Sequence, residues 1–420
     1  MKIRDVFTPG KSPTVTFVDE HIKEKGEQLK DALEDGSVLV SISGPSKSGK
    51  TVFVENVIGK GCLVQVTGAG VTSPSDLWLK VFDFIGTPVK RAVTKGTALS
   101  GSVSGKAAVE GGFVLAKATG EAGASASISR SSSDTEETPI DLLQLLIKEL
   151  GNSGMIVFID DFHYIPKHIQ SDISNQIKEA IRLGVKFIVA SVPYHSDDVI
   201  RSNPDLRGRI FSIDFDYWGA EILKKIAFRG FKELGVGYRQ PTIDRLAKEA
   251  AGSPQLMQYL CLNTCYEIGL RESSNITIDF PHDEEILSKI CVRTVLSADY
   301  SSVVARMLEG PKTRGSDRKI YIMHDGQQGD VYKLLIASLS SDPPQLIFRY
   351  QNLLERIQGI CSSDTPSGSS ITSACQHSTS IGNDTAGEKI MEWDSEHDVL
   401  DIRDPYLLFY LRWSEKPKVN

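Results

Sequence analysis

Three kinds of sequence feature are scarce or missing in this 420-residue chain. No apolar run approaches the roughly 18 residues that a membrane-spanning helix requires. The first residues, MKIRDVFTPGKSP, lack the apolar core of a secretory signal, so we expect a cytoplasmic protein. The six cysteines are too sparse for a disulfide scaffold, and their spacing matches no zinc site. The sequence therefore disfavours three classes of protein: membrane-spanning, disulfide-stabilised and zinc-stabilised.

An excess of positive charge is also absent. The chain has 47 lysines and arginines against 54 aspartates and glutamates, for a formal net charge of −7. A protein that coats nucleic acid through bulk positive charge is therefore disfavoured. The hydrophobic content of 40% is that of a folded protein, and the length indicates two or three domains.

A glycine-containing loop stands between a strand pattern and a helix pattern. The strand pattern, Ser37 to Ser43, is rich in β-branched residues, and the helix pattern begins at Val52. The loop GPSKSGKT is a complete Walker A motif, in which backbone N–H groups and a helix N-terminus surround phosphate oxygens. We expect Lys50 to reach the β- and γ-phosphates of ATP and the Thr51 hydroxyl to bind Mg²⁺. The expected nucleotide contacts are Gly44, Pro45, Ser46, Lys47, Ser48, Gly49, Lys50, Thr51 and Val52.

A second acidic motif follows an apolar run. Met155 to Ile159 fits a buried parallel strand, and two aspartates end it. This is a Walker B pattern, which delivers carboxylates to the same sheet edge as the phosphate loop. We expect Asp160 to hold Mg²⁺ through water and Asp161 to orient or deprotonate the attacking water.

Two further polar residues have alternative interpretations. Ser191 ends the strand pattern that starts at Lys186, where it either senses the γ-phosphate or makes a local hydrogen bond. Arg209 precedes the next strand pattern and either enters the nucleotide site of a neighbouring subunit or forms an ordinary salt bridge. The sequence favours neither interpretation decisively.

The order of patterns predicts an α/β fold. Strands alternate with helices from residue 37 to 215, which indicates a parallel sheet, and the stretch from Tyr217 to Gly269 has a purely helical pattern. Near the C-terminus, helices precede two strands (389–393 and 399–403) and an aromatic helix (405–413), as in a winged helix. The predicted divisions are an N-terminal segment 1–34, a P-loop core 35–215, a helical lid 216–275, a connecting segment 276–327 and a winged-helix-like domain 328–420.

Residues 92–133 differ in composition from the rest of the core, since they are almost entirely Gly, Ala, Ser, Thr and Val. Such a segment cannot build a deep core. It is either a disordered linker or a weakly held β-hairpin. We expect it to become ordered only in an assembly or against a partner.

Taken together, these motifs resemble those of the AAA+/STAND superclass of P-loop ATPases, most closely the archaeal-type and origin-recognition-like ATPases. The resemblance covers the two Walker motifs, the segment 206–210 (LRGRI), the lid and the closing 401–406 (DIRDPY). Gly252-Ser253-Pro254 resembles the GxP motif of STAND lids, which implies that Pro254 packs near the adenine. An AAA+ lid would carry an arginine here, and its absence, with Asp161 in place of glutamate, favours the STAND type and slow hydrolysis.

The resemblance implies an ATP- and Mg²⁺-dependent switch ATPase that forms homo-oligomers, in microbial signalling or defence. A DNA-bound initiator-like or mobile-element ATPase is the alternative. Residues 331–420 contain eight basic and twelve acidic side chains, and the expected recognition segment 369–382 has no lysine or arginine. DNA contact through this domain is therefore disfavoured against a packing or protein-contact role.

Overall fold

The structure is a computed structural model that describes residues 1–89, 141–192, 206, 208–281, 283–312 and 318–414. The Gly/Ala/Ser-rich segment 92–133 lies outside the described residues, so neither interpretation of it is tested. Among the described helices, none combines the length and the apolar character that a bilayer crossing needs.

The first half of the chain forms an α/β unit around a five-stranded parallel sheet. The strands lie in the order β2-β3-β4-β1-β5, and each neighbouring pair is parallel. Parallel neighbours require crossover connections, which the helices between the strands provide. The predicted α/β fold is therefore confirmed. The strands are β1 (Leu39–Ser43), β2 (Leu63–Thr67), β3 (Ile156–Asp160), β4 (Lys186–Ser191) and β5 (Ile210–Asp214).

Helices cover both faces of this sheet. In α6 (Lys167–Arg182) the isoleucines recur at every fourth position from Ile169 to Ile181 and form a buried stripe. Helix α4 (Pro74–Ile85) begins at a reciprocal capping box between Ser73 and Asp76. Short 3₁₀ turns at Lys60–Cys62 and Phe162–Tyr164 complete the connections. The helices of this half are α1 (Ile3–Val6), α2 (Lys23–Asp35), α3 (Lys50–Ile58), α4 (Pro74–Ile85), α5 (Leu142–Leu150) and α6 (Lys167–Arg182).

A mainly helical unit, referred to below as the lid, follows β5 and holds a core of its own. Helix α1 packs on this lid rather than on the sheet, and the Phe7 ring meets the Phe231 ring edge-on at 5.4 Å. The prediction of a purely helical segment is wrong at one place, because β6 pairs in parallel with β7 beyond it. Three-residue strands are too short to leave an alternating pattern. The elements are α7 (Ala220–Leu234), β6 (Val236–Tyr238), α8 (Gln240–Glu249), α9 (Pro254–Glu267), β7 (Ile278–Phe280) and α10 (Glu284–Val295).

The C-terminal elements follow the order helix, strand, two helices and two strands, from α12 to β12. The predicted strand pair, β11 with β12, is confirmed, and β10 joins it as a third antiparallel strand. The expected recognition segment lies in the long helix α14. The elements are α11 (Ser301–Glu309), β8 (Tyr321–Ile322), β9 (Gln328–Gly329), α12 (Val331–Ser340), β10 (Ile347–Arg349), α13 (Tyr350–Ile360), α14 (Gly368–Ala386), β11 (Met391–Asp394), β12 (Val399–Ile402) and α15 (Pro405–Trp413).

Helix α15 belongs to two cores at once. Tyr406, Phe409 and Trp413 pack in the lid core, whereas Leu407 and Leu411 pack in the core of the C-terminal domain. A helix that is buried on all sides carries apolar residues on every face. This explains why aromatic and aliphatic residues follow one another in this segment. It also fixes the lid and the C-terminal domain against each other.

Candidate functional site

The phosphate loop joins the end of β1 to the start of α3. Gly44 opens it, and a Cβ at this position would lie 2.5 Å from the Cβ of Phe215, so the position accepts only glycine. Gly49 closes the loop with φ +95°, a conformation that glycine adopts without strain. The two glycines of the motif are therefore required by backbone geometry.

Lys50 begins α3 and turns its ammonium group back into the loop. Its Nζ donates hydrogen bonds to the carbonyl oxygens of Gly44 and Pro45, both at 2.8 Å. Burial lowers the pKa of Lys50 to about 8, against the opposing attraction of Asp160 and Asp161. Among the described residues, no charged group accepts a hydrogen bond from Lys50, and a cation held in this way suits an anionic ligand.

Thr51 and Asp160 meet beside this lysine. The Thr51 Oγ1 donates to the Asp160 Oδ2 at 2.6 Å, although 109 residues separate them. A hydroxyl and a carboxylate are hard oxygen ligands of the kind that Mg²⁺ takes, together with substrate phosphates. In the described part of the chain, no group of three or more His, Cys, Asp or Glu side chains could hold a metal ion.

Asp161 follows the end of β3 in a left-handed backbone conformation, with φ +55°. Burial raises the pKa of its carboxyl group, and the negative charge of Asp160 raises it further. Its backbone carbonyl closely approaches Gly68, where a Cβ would lie 2.5 Å from that oxygen. A half-buried carboxyl group with a raised pKa is suited to accept a proton.

A cleft of about 830 Å³ opens beside the loop, within the roughly 300–1,000 Å³ of small-molecule sites. Pro254 lines it at the start of α9, where the Ser253 Oγ caps the helix by accepting from the Leu256 N–H at 3.2 Å. The N-terminal strap 8–13 crosses another side, because the Gln255 side chain donates to the Pro9 carbonyl at 2.7 Å. The strap, the loop and the lid thus form one site.

Two buried polar atoms of this cleft fit a nucleotide. The Oγ of Ser48, in the phosphate loop, and the Oγ1 of Thr8, in the strap, have no hydrogen-bond partner among the described residues. Buried hydroxyl groups are normally hydrogen-bonded. These unpaired donors, together with the ammonium group of Lys50, match a ligand that carries several acceptor oxygens, as a nucleoside triphosphate does.

The structure brings Ser191 near the loop and leaves Arg209 away from it. Ser191 is buried beside Ser43, its register partner in β1, and the following residue, Val192, lines the cleft. Arg209 is exposed at the entry of β5, whose first residue pairs with Leu39. Because β5 runs parallel to β1, Arg209 lies where the strands begin and the loop lies where they end. Each strand residue adds about 3.3 Å to the distance between them. Arg209 therefore lies at the sheet edge opposite to the phosphate loop of its own chain.

The side chain of Lys47 points out of the phosphate loop and contacts the C-terminal domain. Its Nζ lies 2.8 Å from the Asp404 Oδ2 and 4.3 Å from the centre of the Tyr406 ring. Beside it, the Tyr164 hydroxyl donates to Glu388 Oε2 at 2.9 Å, and Glu388 lines the cleft. The Lys47 side chain is thus directed away from the expected phosphates, and its contribution to them is left to its backbone.

Sequence reasoning missed the strap, Trp218 and Glu388 as parts of the cleft. Trp218 stands four residues after the last residue of β5, the edge strand that pairs with β1, and no sequence motif marks it. The strap and Glu388 lie far away in sequence and left no recognisable pattern.

No family model matches the sequence, and no curated protein matches it. Among solved structures, Cdc6p of Pyrobaculum aerophilum aligns with 98% of this chain and 98% of its own, at 12% identity and a TM-score of 0.45. The ORC2 protein of Aeropyrum pernix aligns with 97% and 96%, at 12% identity and a TM-score of 0.48. A Walker-type ATPase of Pyrococcus abyssi aligns with 93% and 95%, also at 12% and 0.48. At these sequence identities and TM-scores, the likeness supports no conclusion about function. The function is therefore argued from the geometry of the site.

Proposed function

We propose that this chain binds ATP with Mg²⁺ and hydrolyses it. The observation that carries the proposal is the 2.6 Å contact of Thr51 with Asp160, next to Lys50, whose Nζ donates to two carbonyl groups of the loop. A hydroxyl, a carboxylate and a lysine converge at a glycine-bounded loop, which is the set of groups that P-loop ATPases use.

Each residue then has one task. Loop N–H groups and Lys50 bind the phosphates, and Pro254 packs near the adenine. Thr51 and Asp160 hold the ion, which when bound neutralises charge on the phosphate oxygens. Asp161, with its raised pKa, orients the attacking water and accepts its proton. Ser191, in the neighbouring strand, senses the end of the phosphate chain.

We further propose that the chain is a nucleotide-controlled, oligomerising switch in microbial signalling or defence, the area that its STAND-like motifs imply. Support comes from the composition of the cleft, to which the core, the N-terminal strap, the lid and Glu388 of the C-terminal domain all contribute. A ligand that contacts several parts of the chain favours one arrangement of them by its differential affinity. The cytoplasm is the proposed location.

The winged-helix order of the C-terminal elements favours a second candidate, a DNA-bound initiator-like or mobile-element ATPase. The composition of α14 disfavours DNA binding, because this helix contains no lysine or arginine that could contact the phosphates of DNA. DNA binding that falls steeply with salt in a gel-shift assay would support this candidate.

The test of ATP binding and hydrolysis compares two substitutions with a surface control. Lys50→Ala should abolish ATP binding in calorimetry, whereas Asp161→Asn should keep the affinity and slow turnover about 100-fold or more. Lys148→Ala, on the exposed side of α5, should change neither. Unchanged ATP affinity in Lys50→Ala would show that ATP does not bind at this loop. Normal turnover in Asp161→Asn would show that Asp161 is not the base.

A further inference from the structure

The segment between β5 and α7 contacts both ends of the phosphate loop. At the first end, the Phe215 N–H donates to the Ser43 carbonyl at 2.7 Å, and its side chain fills the space beside Gly44. At the second end, the indole N–H of Trp218 donates to the Ser48 carbonyl at 3.0 Å. The Trp218 ring also lies over Gly49, where a Cβ would be 3.9 Å away.

The same segment contacts the two other parts of the molecule. The backbone N–H of Trp218 donates to the Gly252 carbonyl of the lid at 3.0 Å. Gly252 has φ +83°, and a Cβ there would lie 2.6 Å from the Cβ of Tyr217. The Tyr217 hydroxyl lies 3.3 and 3.2 Å from the carbonyl oxygens of Ile402 and Arg403 in the C-terminal domain.

The Ser48 carbonyl and the Gly49 N–H belong to one peptide plane. In a trans peptide the two groups point in opposite directions, so a bond that fixes the carbonyl also fixes the direction of the N–H. A phosphate loop binds anions through its N–H groups, which requires its carbonyl groups to face away and find donors elsewhere. Trp218 is such a donor for the Ser48 carbonyl.

We propose that Trp218 is a positioning residue for the nucleotide: its indole N–H holds the Ser48–Gly49 peptide so that the Gly49 N–H faces the phosphates, and its backbone bond to Gly252 ties this peptide to the lid. The inference rests on the proposed function, because it concerns the same loop. It assigns a role to a residue that would not itself touch the reacting atoms.

The test replaces the indole by a ring without a donor. Trp218→Phe keeps a ring over Gly49 but removes one hydrogen bond, so we expect ADP and ATP affinity to fall three- to tenfold, as for the loss of one bond. Trp78→Phe is the matched control. Its indole N–H also donates one hydrogen bond, in this case to the Gln176 side chain, in a part of the core away from the cleft.

Hydrogen exchange of the loop separates positioning from general destabilisation. In the nucleotide-free protein, Trp218→Phe should speed exchange of the amides in peptides that cover residues 45–50, and Trp78→Phe should not, even where both variants have the same lowered thermal midpoint. The inference is supported if Trp218→Phe, but not Trp78→Phe, shows both faster exchange in the loop and weaker nucleotide binding.

Opposite results overturn the inference in distinguishable ways. If wild-type protein binds nucleotide and Trp218→Phe binds it equally well, the positioning role is wrong and the proposed function stands. Equal losses of affinity in the two variants also overturn it, because the effect is then one of stability. If the wild-type protein binds no nucleotide, the proposed function fails and this inference fails with it.

Discussion

Two clusters of charged side chains in this molecule differ in how well their members are matched. The loop cluster consists of Lys50, Asp160 and Asp161, and its charges are poorly matched. Lys50 donates to carbonyl groups rather than to a carboxylate. Its pKa is lowered by burial and that of Asp161 is raised by burial, which means that each group is held in surroundings that disfavour its charged form.

The junction cluster consists of Glu249 in the lid, Arg412 in α15, and Asp342 and Arg245 around them. Arg412 forms a bidentate pair with Glu249, at 3.0 and 2.8 Å, and a further bond to Asp342 at 2.6 Å. Burial acts to lower the pKa of Arg412, but the bonds and charges of Glu249 and Asp342 outweigh it and raise the pKa. The Trp413 indole N–H also donates to Glu249, at 2.8 Å.

The difference assigns the clusters to different tasks. A buried pair with satisfied geometry fixes the arrangement of the elements that carry it, here the lid and the C-terminal domain. Charges left poorly matched indicate a functional site, since a ligand can supply what is missing. Substitutions in the two clusters should therefore have different effects, on nucleotide chemistry in one and on stability in the other.

Arg209 is a third kind of charge, exposed and without an ion pair among the described residues. Since it lies at the sheet edge opposite to its own loop, we expect it to act on the nucleotide of a neighbouring subunit. A finger supplied in this way contributes a factor of about 10³ or more to turnover. Arg209→Ala should therefore lose hydrolysis, and mixing it with Lys50→Ala protein should restore part of it at shared interfaces.

The measurement is ATP turnover of each variant and of the mixture at several protein concentrations. Turnover per subunit should rise with concentration in the wild type, because the interface must form. Normal hydrolysis by pure Arg209→Ala protein, or a specific rate independent of concentration, would show that the arginine serves no neighbouring site.

Glu249→Ala breaks the matched cluster and should destabilise the fold by about 3–5 kcal/mol, because it leaves Arg412 buried without its main partner. Denaturant unfolding, followed by fluorescence, measures the free energy of unfolding. Glu285→Ala is the control, since its pair with Lys289 at 2.6 Å is exposed and should contribute nothing measurable. A loss in Glu249→Ala no larger than that of the control would contradict the assigned role of the junction cluster.

The two clusters also differ in how far the sequence predicts them. The loop cluster follows from two local motifs, because the carboxyl ends of parallel strands meet at one sheet edge. Lys50, Thr51 and Asp160 could therefore be placed together from the sequence alone. The junction cluster could not, since Glu249 and Arg412 lie in helices whose relative placement depends on the packing of α15 between two cores. The contact of Lys47 with Asp404 was unpredictable for the same reason.

The same distinction explains which elements were found. The long strands of the core carry clear patterns: the predicted Ser37 to Ser43 and Met155 to Ile159 agree with β1 and β3 within two residues at each end. The short strands β6 and β10 carry none. Trp218 and the strap 8–13 reach the cleft only through tertiary packing, which a linear pattern does not encode.

The smallest predicted effect is the pH dependence of nucleotide affinity that Lys50 causes. Without ligand its pKa is about 8, below its ordinary value, so the lysine loses its charge as the pH rises through 8. Phosphate favours the charged form and raises that pKa, so binding takes up a proton at alkaline pH. We expect affinity to fall roughly eightfold from pH 7.5 to pH 9, by proton linkage. Calorimetry in buffers of different ionisation enthalpy measures both the affinity and the proton uptake. Lys50→Arg is the matched variant, because arginine stays charged throughout this range, and any binding it retains should not depend on pH. A flat profile without proton uptake in the wild type would mean that Lys50 is fully charged before the ligand arrives, and the loop cluster would then be better matched than its contacts indicate.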